Sequence, residues 1–409
     1  MSDQPLKIGL LGRGTVGSAF AELVAARADE IARLTGRRPE ISGVLTRSEG
    51  DAMQIIEQAD LIVEVMGGTE PTRDYVLAAL NAGLPVVSAN KQLLSRHGPE
   101  LWAAAEASGG ELRFEAAVAG VVPVIRVLSE SLSGAQIDRI HGIVNGTTNF
   151  ILSEMAATGA SYEDALAQAQ QLGFAEADPT EDVSGSDAAA KMALLAQLAF
   201  GGWVALDDVV FEGIEELTTE DIAYAKEFGL ALKLLGTAER VGDAISVRVH
   251  PAFLYAAHPL ANINGSFNAV TIESPAITEI TLSGPGAGGP QTASALLGDV
   301  LSVINGAPTI DAPRHDAKLT EEVESAFYLH LEVADQPGVL AQVAKLLGEH
   351  GVSVKSVAQS GLGDNARLVM VTHSVLESDF LSARDELAEF DFLRSQPRAI
   401  RVIDEQFIG

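Results

Sequence analysis

The sequence predicts an α/β protein of three parts, and three observations carry that expectation. Over residues 6–120, short apolar strand-like runs alternate with helical periodicity, the pattern of a parallel sheet with crossover helices. Residues 131–311 mix helices with strands such as ISVRVHPAFL (245–254), an α+β pattern. Residues 326–409 run β-α-β-β-α-β, the order of a ferredoxin-like unit. A chain of 409 residues is too long for one core and suits two or three domains.

The first unit, residues 1–130, opens with a buried strand at 6–12 (LKIGLLG), then Gly12-Arg13-Gly14-Thr15-Val16-Gly17, then a helix (SAFAELVAARADEIARL). Strand, GxGxxG and helix in this order form the Rossmann-type dinucleotide fingerprint. Gly12 serves the tight turn, Gly14 the close approach of a pyrophosphate, and Gly17 the packing of helix on strand. Thr15 and Val16 sit at the helix start, whose N–H groups face the phosphates. The second strand, near 41–45, ends on Thr46, Arg47 and Ser48, with no acidic residue to take a ribose hydroxyl. Arg47 suits a 2′-phosphate, so NADP(H) is preferred and NAD(H) is the alternative; the plainer reading is a solvated loop arginine. Next come a strand in ADLIVEVMGG (59–68), a helix at 72–82 and LPVVSANK (84–91). There Asn90 and Lys91 fall at the carboxyl edge of the sheet, where open α/β sheets bind ligands. A helix near 98–108 and a strand over 112–120 (LRFEAAVAG) complete the unit.

The second unit holds the most informative stretch, Ala169–Lys191. Glu176, Asp178, Glu181, Asp182 and Asp187 gather negative charge just ahead of an apolar helix at 186–200. Lys191 lies four residues beyond Asp187, on the same helical face and about 6 Å along the axis. Helix capping by Ser184, Ser186 and Asp187 is one reading; a site for a small, charged, amine-bearing substrate is the other. The turn GPGAGG (284–289), containing Gly288, opens another apolar helix. It fits either a second approach to the cofactor or a plain tight turn, with 283–305 as the segment that would return to the nucleotide unit. Residues 312–325 are polar and without apolar period, a linker into 326–409.

Composition narrows the function classes. A net charge of −29 disfavours nucleic acid, which draws on clustered Lys and Arg. With no cysteine there are no disulfides, thiol nucleophiles or thiolate metal sites, which fits a cytoplasmic protein. The opening lacks a secretory pattern and no apolar run suffices to span a bilayer.

Taken together, these segments resemble the homoserine dehydrogenase family over nearly the whole chain. Ala169, Gly173, Asp178, Pro179, Asp182, Gly185, Asp187 and Lys191 meet that family's spacing, and SANK, EAAVAG and VNGTTNF follow in its order. The resemblance implies interconversion of L-homoserine and L-aspartate 4-semialdehyde. It implies Lys191 as the acid/base, with Lys91 near the nicotinamide assisting. Glu176 would hold the substrate ammonium, with Asp182, Asp187 and Thr147 completing the substrate site. Gly173 and Gly288 would approach the cofactor. The carbonyls of Glu115, Val118, Gly120 and Val122 would bind Na⁺ or K⁺. Two lysines meeting at one hydroxyl would depress each other's pKa, whereas acidic neighbours would raise it, so the scheme needs Glu176 taken up mainly by the substrate amine. Residues 326–409, with Asp335-Gln336-Pro337-Gly338 at a strand-to-helix turn, resemble an ACT domain, implying feedback by L-threonine on a separable tail. A homodimer or homotetramer is expected, and a fingerprint starting at Gly12 suggests a monofunctional enzyme. The competing classes are another amino-acid dehydrogenase and a non-catalytic sensor of dinucleotide and amino acid.

Overall fold

A computed structural model describes residues 5–361 and 366–403. The first unit alternates β1 (Pro5–Leu11), α1 (Thr15–Thr35), β2 (Arg38–Leu45), α2 (Ala52–Gln58), β3 (Leu61–Glu64), α3 (Thr72–Asn81), β4 (Val86–Ser88), α4 (Lys91–Ser108) and β5 (Leu112–Arg113). The five strands form one parallel sheet in the order β2-β1-β3-β4-β5. Strand order reverses between β1 and β3, and the crevice outside their carboxyl ends is where such sheets bind ligands. α1 buries Phe20, Val24 and Ile31 at helical spacing, which fixes it against the sheet.

Two local expectations differ from the structure. The helix expected near 98–108 begins about two turns earlier, because Asn90 caps it by accepting the Leu93 N–H at 3.1 Å. Lys91 is therefore the first residue of α4 rather than part of a loop. The strand expected over 112–120 stops at Arg113. Beyond it, the buried Glu115 carboxylate accepts the N–H groups of Ile125 (2.9 Å) and Arg126 (3.0 Å), and its own N–H donates to Asp299 (2.8 Å). Those bonds fold 115–122 into a turn, with Ala119 and Gly120 both left-handed at φ 55° and 66°.

The second unit runs α5 (Val124–Arg126), β6 (Arg139–Ile143), α6 (Gly146–Thr158), α7 (Tyr162–Gln171), α8 (Thr180–Val183), α9 (Ser186–Phe200), β7 (Gly202–Trp203), β8 (Val210–Phe211), α10 (Thr219–Glu227), β9 (Leu230–Val241), β10 (Ala244–Tyr255), β11 (Phe267–Ser274), β12 (Thr278–Pro285) and α11 (Gly289–Ile304). α9 lies on the sheet where Gly142 and Gly236 make room for Met192; a Cβ on Gly236 would sit 2.3 Å from that side chain. α11 returns to the first unit, where Leu296 and Val300 share an apolar cluster with Phe20, Val24 and Ile31 of α1.

The chain finishes with β13 (His315–Asp316), β14 (Glu324–Glu332), α12 (Val339–Glu349), β15 (Val354–Ser360), β16 (Arg367–Thr372), β17 (Val375–Leu376), α13 (Glu377–Leu387) and β18 (Arg398–Ile403). A last strand is expected from the sequence over 399–407; its portion beyond residue 403 lies outside the described residues. The strand order β18-β14-β16-β15 is ferredoxin-like, but β18 also pairs in parallel with β10. One sheet thus runs through both units. The segment 312–325 is pinned as well: β13 pairs with β7, and Leu319 bridges Ile245. α12 and α13 cover one face of the final sheet, with Phe327 and Phe380 stacked at 3.7 Å. On its other face Tyr328, Val369, Val371, Ile400 and Val402 merge into the apolar core of the second unit. Among the described residues no helix is long and apolar enough to cross a membrane.

Candidate active site

The glycine turn after β1 is built by close contacts. Gly12 adopts φ 106° and its N–H donates to the Leu45 carbonyl at 3.0 Å, tying the turn to the end of β2. A Cβ on Gly17 would lie 2.2 Å from the Gly12 carbonyl oxygen, so only glycine fits there. A Cβ on Gly14 would meet no protein atom within 4 Å. Backbone approach without protein contact is what a pyrophosphate at the α1 N-terminus requires. Arg47 stands exposed two residues beyond Leu45, whose carbonyl accepts the Gly12 N–H. A cleft of about 540 Å³ runs from Val16 and Gly67 past Ala117 and Thr292 to Lys91 and Lys191.

At its inner end the two lysines meet on one carboxylate. Lys91 Nζ lies 2.9 Å from Asp187 Oδ1, and Lys191 Nζ lies 2.6 Å from Asp187 Oδ2. Lys191 also donates to the Val144 carbonyl at 2.8 Å. The i, i+4 spacing on α9 places Asp187 under Lys191, while the Asn90 cap sets Lys91 at the start of α4. Lys91 is braced from below. Glu64, fully buried at the end of β3, accepts Ser88 Oγ at 2.6 Å and the Met66 N–H at 2.7 Å; Ser88 Oγ in turn accepts the Asn90 N–H. Burial pushes the Glu64 carboxyl above its usual range.

The charges are strongly coupled. Burial works to lift the Asp187 carboxyl, but the two adjacent ammonium groups outweigh it and hold it well below the usual carboxylate range. Burial works to lower Lys91, and Asp187 with Glu181 and Asp182 more than offsets it, so Lys91 is raised. The expected mutual depression is thus reversed at Lys91 because a carboxylate stands between the lysines. Asp182 is lifted, first by burial and further by Asp187. Beyond this knot a second hollow of about 390 Å³ is bounded by Lys91, Glu176, Glu181, Asp182 and Asp187. Glu176 is exposed there, and its carboxylate makes no ion pair among the described residues.

Other expected site residues are placed differently. The Thr147 hydroxyl donates to the Phe174 carbonyl at 2.6 Å, steadying the segment that carries Glu176. Gly173 lies two residues beyond α7, exposed, and does not line the cleft, whereas Gly288 lies between Ala287 and the cleft-lining Thr292 at the start of α11. In the 115–122 turn, the carbonyls of Val118 and Gly120 accept no hydrogen bond among the described residues, although Val118 is fully buried. Of the four expected carbonyls, those of Val118 and Gly120 are open to a cation, whereas those of Glu115 and Val122 already accept the Val118 (3.3 Å) and Val124 (2.8 Å) N–H groups. Two contributors were not evident from the sequence. Glu64 holds Ser88 and the Met66 N–H, and Asn145 donates to Asp182 and Asp187; the VNGTTNF run marks the segment of Asn145 but not which side chains it holds.

A dinucleotide cleft opening onto paired lysines and a free carboxylate, with a ferredoxin-like unit built into the same sheet, defines a nicotinamide-linked dehydrogenase with an appended sensing module. The chain belongs to the homoserine dehydrogenase family. The family model "Homoserine dehydrogenase" matches residues 123–301, "Homoserine dehydrogenase, NAD binding domain" matches 12–115, and "ACT domain" matches 328–392. The homoserine dehydrogenase of Corynebacterium glutamicum is 45% identical, covering 91% of this chain and 90% of that protein. A crystal structure of a homoserine dehydrogenase from Thiobacillus denitrificans aligns with a TM-score of 0.92 at 36% identity, over 98% of this chain and 99% of that one. A hyperthermophilic archaeal homoserine dehydrogenase in complex with NADPH aligns at 0.66 and 26% identity, over 75% of this chain and all (100%) of that one.

Proposed function

We propose that the chain interconverts L-homoserine and L-aspartate 4-semialdehyde, with Lys191 as the proton donor and acceptor. One observation carries this reading: both lysines converge on Asp187 at the inner end of the dinucleotide cleft, with Glu176 unpaired beside them. The nicotinamide, when bound, supplies or accepts the hydride. Glu176 takes the substrate ammonium, which matches its charge and exposure. Lys191 has three N–H donors; Asp187 and the Val144 carbonyl occupy two, and the third is left for the substrate oxygen. In the direction of alcohol formation, the Lys191 ammonium polarises the carbonyl and donates a proton as the carbon gains hydride. The lysine, left neutral, is reprotonated from water. Lys91, kept charged by Asp187, holds the same oxygen from the other side.

NADP(H) is the preferred cofactor in this reading. The support is Arg47 two residues beyond Leu45, whose carbonyl accepts the Gly12 N–H, and the absence of a carboxylate at the end of β2. Na⁺ or K⁺ on the carbonyls of Glu115, Val118, Gly120 and Val122 would stiffen the turn beneath the cleft. L-threonine is the effector proposed for the ACT unit, and the working assembly is a homodimer or homotetramer. The test follows NADPH consumption with aspartate semialdehyde against other short aldehydes and oxo acids. Lys191→Met should lower kcat about a thousandfold, and Lys91→Met less, in line with a lost general acid. Full activity in Lys191→Met removes its assignment.

A further inference from the structure

We propose that Asn145 is a positioning residue whose side-chain amide holds Asp182 and Asp187 side by side and so aims Lys191 at the substrate oxygen. This rests on the assignment of Lys191 to proton transfer. Asn145 precedes α6 and is buried, at 4% exposure. Its Nδ2 carries two hydrogens, and each has a carboxylate: Asp182 Oδ1 at 2.7 Å and Asp187 Oδ2 at 2.8 Å. Its Oδ1 accepts the Thr148 N–H at 2.9 Å and Thr148 Oγ1 at 3.1 Å. The amide therefore has one orientation, since a flip would set its oxygen against two carboxylates and leave the α6 N–H without an acceptor.

The consequence for Lys191 is geometric. Asp187 Oδ2 is shared by Asn145 Nδ2 and Lys191 Nζ, and the other fixed contact of Lys191 is the carbonyl of Val144, the preceding residue. Two consecutive residues thus hold both ends of the Lys191–Asp187 pair, one through a carbonyl and one through an amide. With two of the three ammonium N–H directions set, the third is set too. Burial, and then repulsion from Asp187, lift the Asp182 carboxyl, and the hydrogen bond from Asn145 works against both.

Asn145→Asp separates this role from helix capping. Aspartate has the same shape and caps a helix as well as asparagine, so capping alone predicts no change. The positioning role predicts otherwise: the variant loses both donors and adds a third carboxylate. At pH 8, kcat should fall about a hundredfold, the scale of losing two hydrogen bonds to charged groups. The deficit should shrink toward pH 6, where the introduced carboxyl, once protonated, can donate one bond. NADPH affinity should stay at the parental value, while the melting temperature should fall at pH 8 and recover toward pH 6, because the added carboxylate is buried beside two others. Asn145→Ser keeps a capping oxygen but is too short to bridge the acids, and should show a loss that does not change with pH. Parental kcat and pH profile in Asn145→Asp, or parental kcat in Asn145→Ser should the first variant not fold, would overturn the proposal. Lys191→Met run alongside separates the two ideas: if it is inactive while Asn145→Asp is normal, only the role of Asn145 fails. If Lys191→Met is active, the proton-transfer assignment fails first.

Discussion

Glu64 shows how a single buried side chain reaches the chemistry without touching it. Its carboxyl is the acceptor for Ser88 Oγ and the Met66 N–H, and through Ser88 and Asn90 it fixes the residue before Lys91. Glu64→Ala should lower unfolding free energy by about 2 kcal/mol, because the buried Ser88 hydroxyl and the half-buried Met66 N–H lose their acceptor. It should also lower kcat through a displaced Lys91. Glu64→Gln keeps an acceptor for Met66 and should cost about 1 kcal/mol. The pH dependence has a definite sign. A carboxyl raised in the folded state binds its proton more tightly there than in the unfolded chain, so its stabilisation is greatest in acid and is lost as pH rises through the folded pKa. Urea midpoints of parent and Glu64→Gln should therefore converge as pH rises from about 4.5, the ordinary glutamate range. A gap that widens with pH would show that Glu64 is ionised in the folded protein.

At the scale of elements, the glycine turn separates steric demands made by the protein from those made by a ligand. Gly17→Ala drives a Cβ into the Gly12 carbonyl and should destabilise the first unit by several kcal/mol, on the order of other backbone clashes. Gly14→Ala meets open space at an ordinary φ of −78° and should leave the melting temperature unchanged while weakening NADPH binding at least tenfold. A Gly14→Ala protein that melts early but binds NADPH normally would mean the phosphates lie elsewhere. Such elements were legible in the sequence because their signals are local: glycine spacing around a strand end, or Asp187 and Lys191 one helical turn apart. The start of α4 and the end of β5 were not. Asn90 as cap and Gly98-Pro99 inside a helix have opposite local meanings, and the cap prevailed. The 112–120 run is apolar enough for a strand, but Glu115 is claimed by donors ten and eleven residues ahead and by Asp299, and no local pattern reveals that.

For the whole molecule, the decisive feature is that the last unit does not stand apart. Sequence patterning finds its β-α-β-β-α-β order but not its neighbours. β18 adds to β10, and the face of Tyr328, Val371 and Ile400 closes the core of the second unit. Ion pairs cross the same seam: Glu377 accepts from both Arg401 (2.9 Å) and Arg248, and Arg401 reaches Glu212 at 2.7 Å. Removing residues 326–409 would strip a paired strand edge and expose that apolar face, so the truncated chain should misfold rather than retain unregulated activity. A gentler test uses the position of the two tryptophans. Trp102 and Trp203 both lie outside the final unit, so their fluorescence reports the unfolding of the catalytic part. Val371→Ala, which opens a cavity on the shared face, should lower the urea midpoint seen by tryptophan by the equivalent of about 2 kcal/mol. Far-UV circular dichroism should shift in step, because a continuous sheet unfolds as one cooperative body. If the tryptophan transition stays in place while the dichroism splits in two, the last unit folds independently. A signal bound there would then need a route other than the shared sheet to reach Lys191.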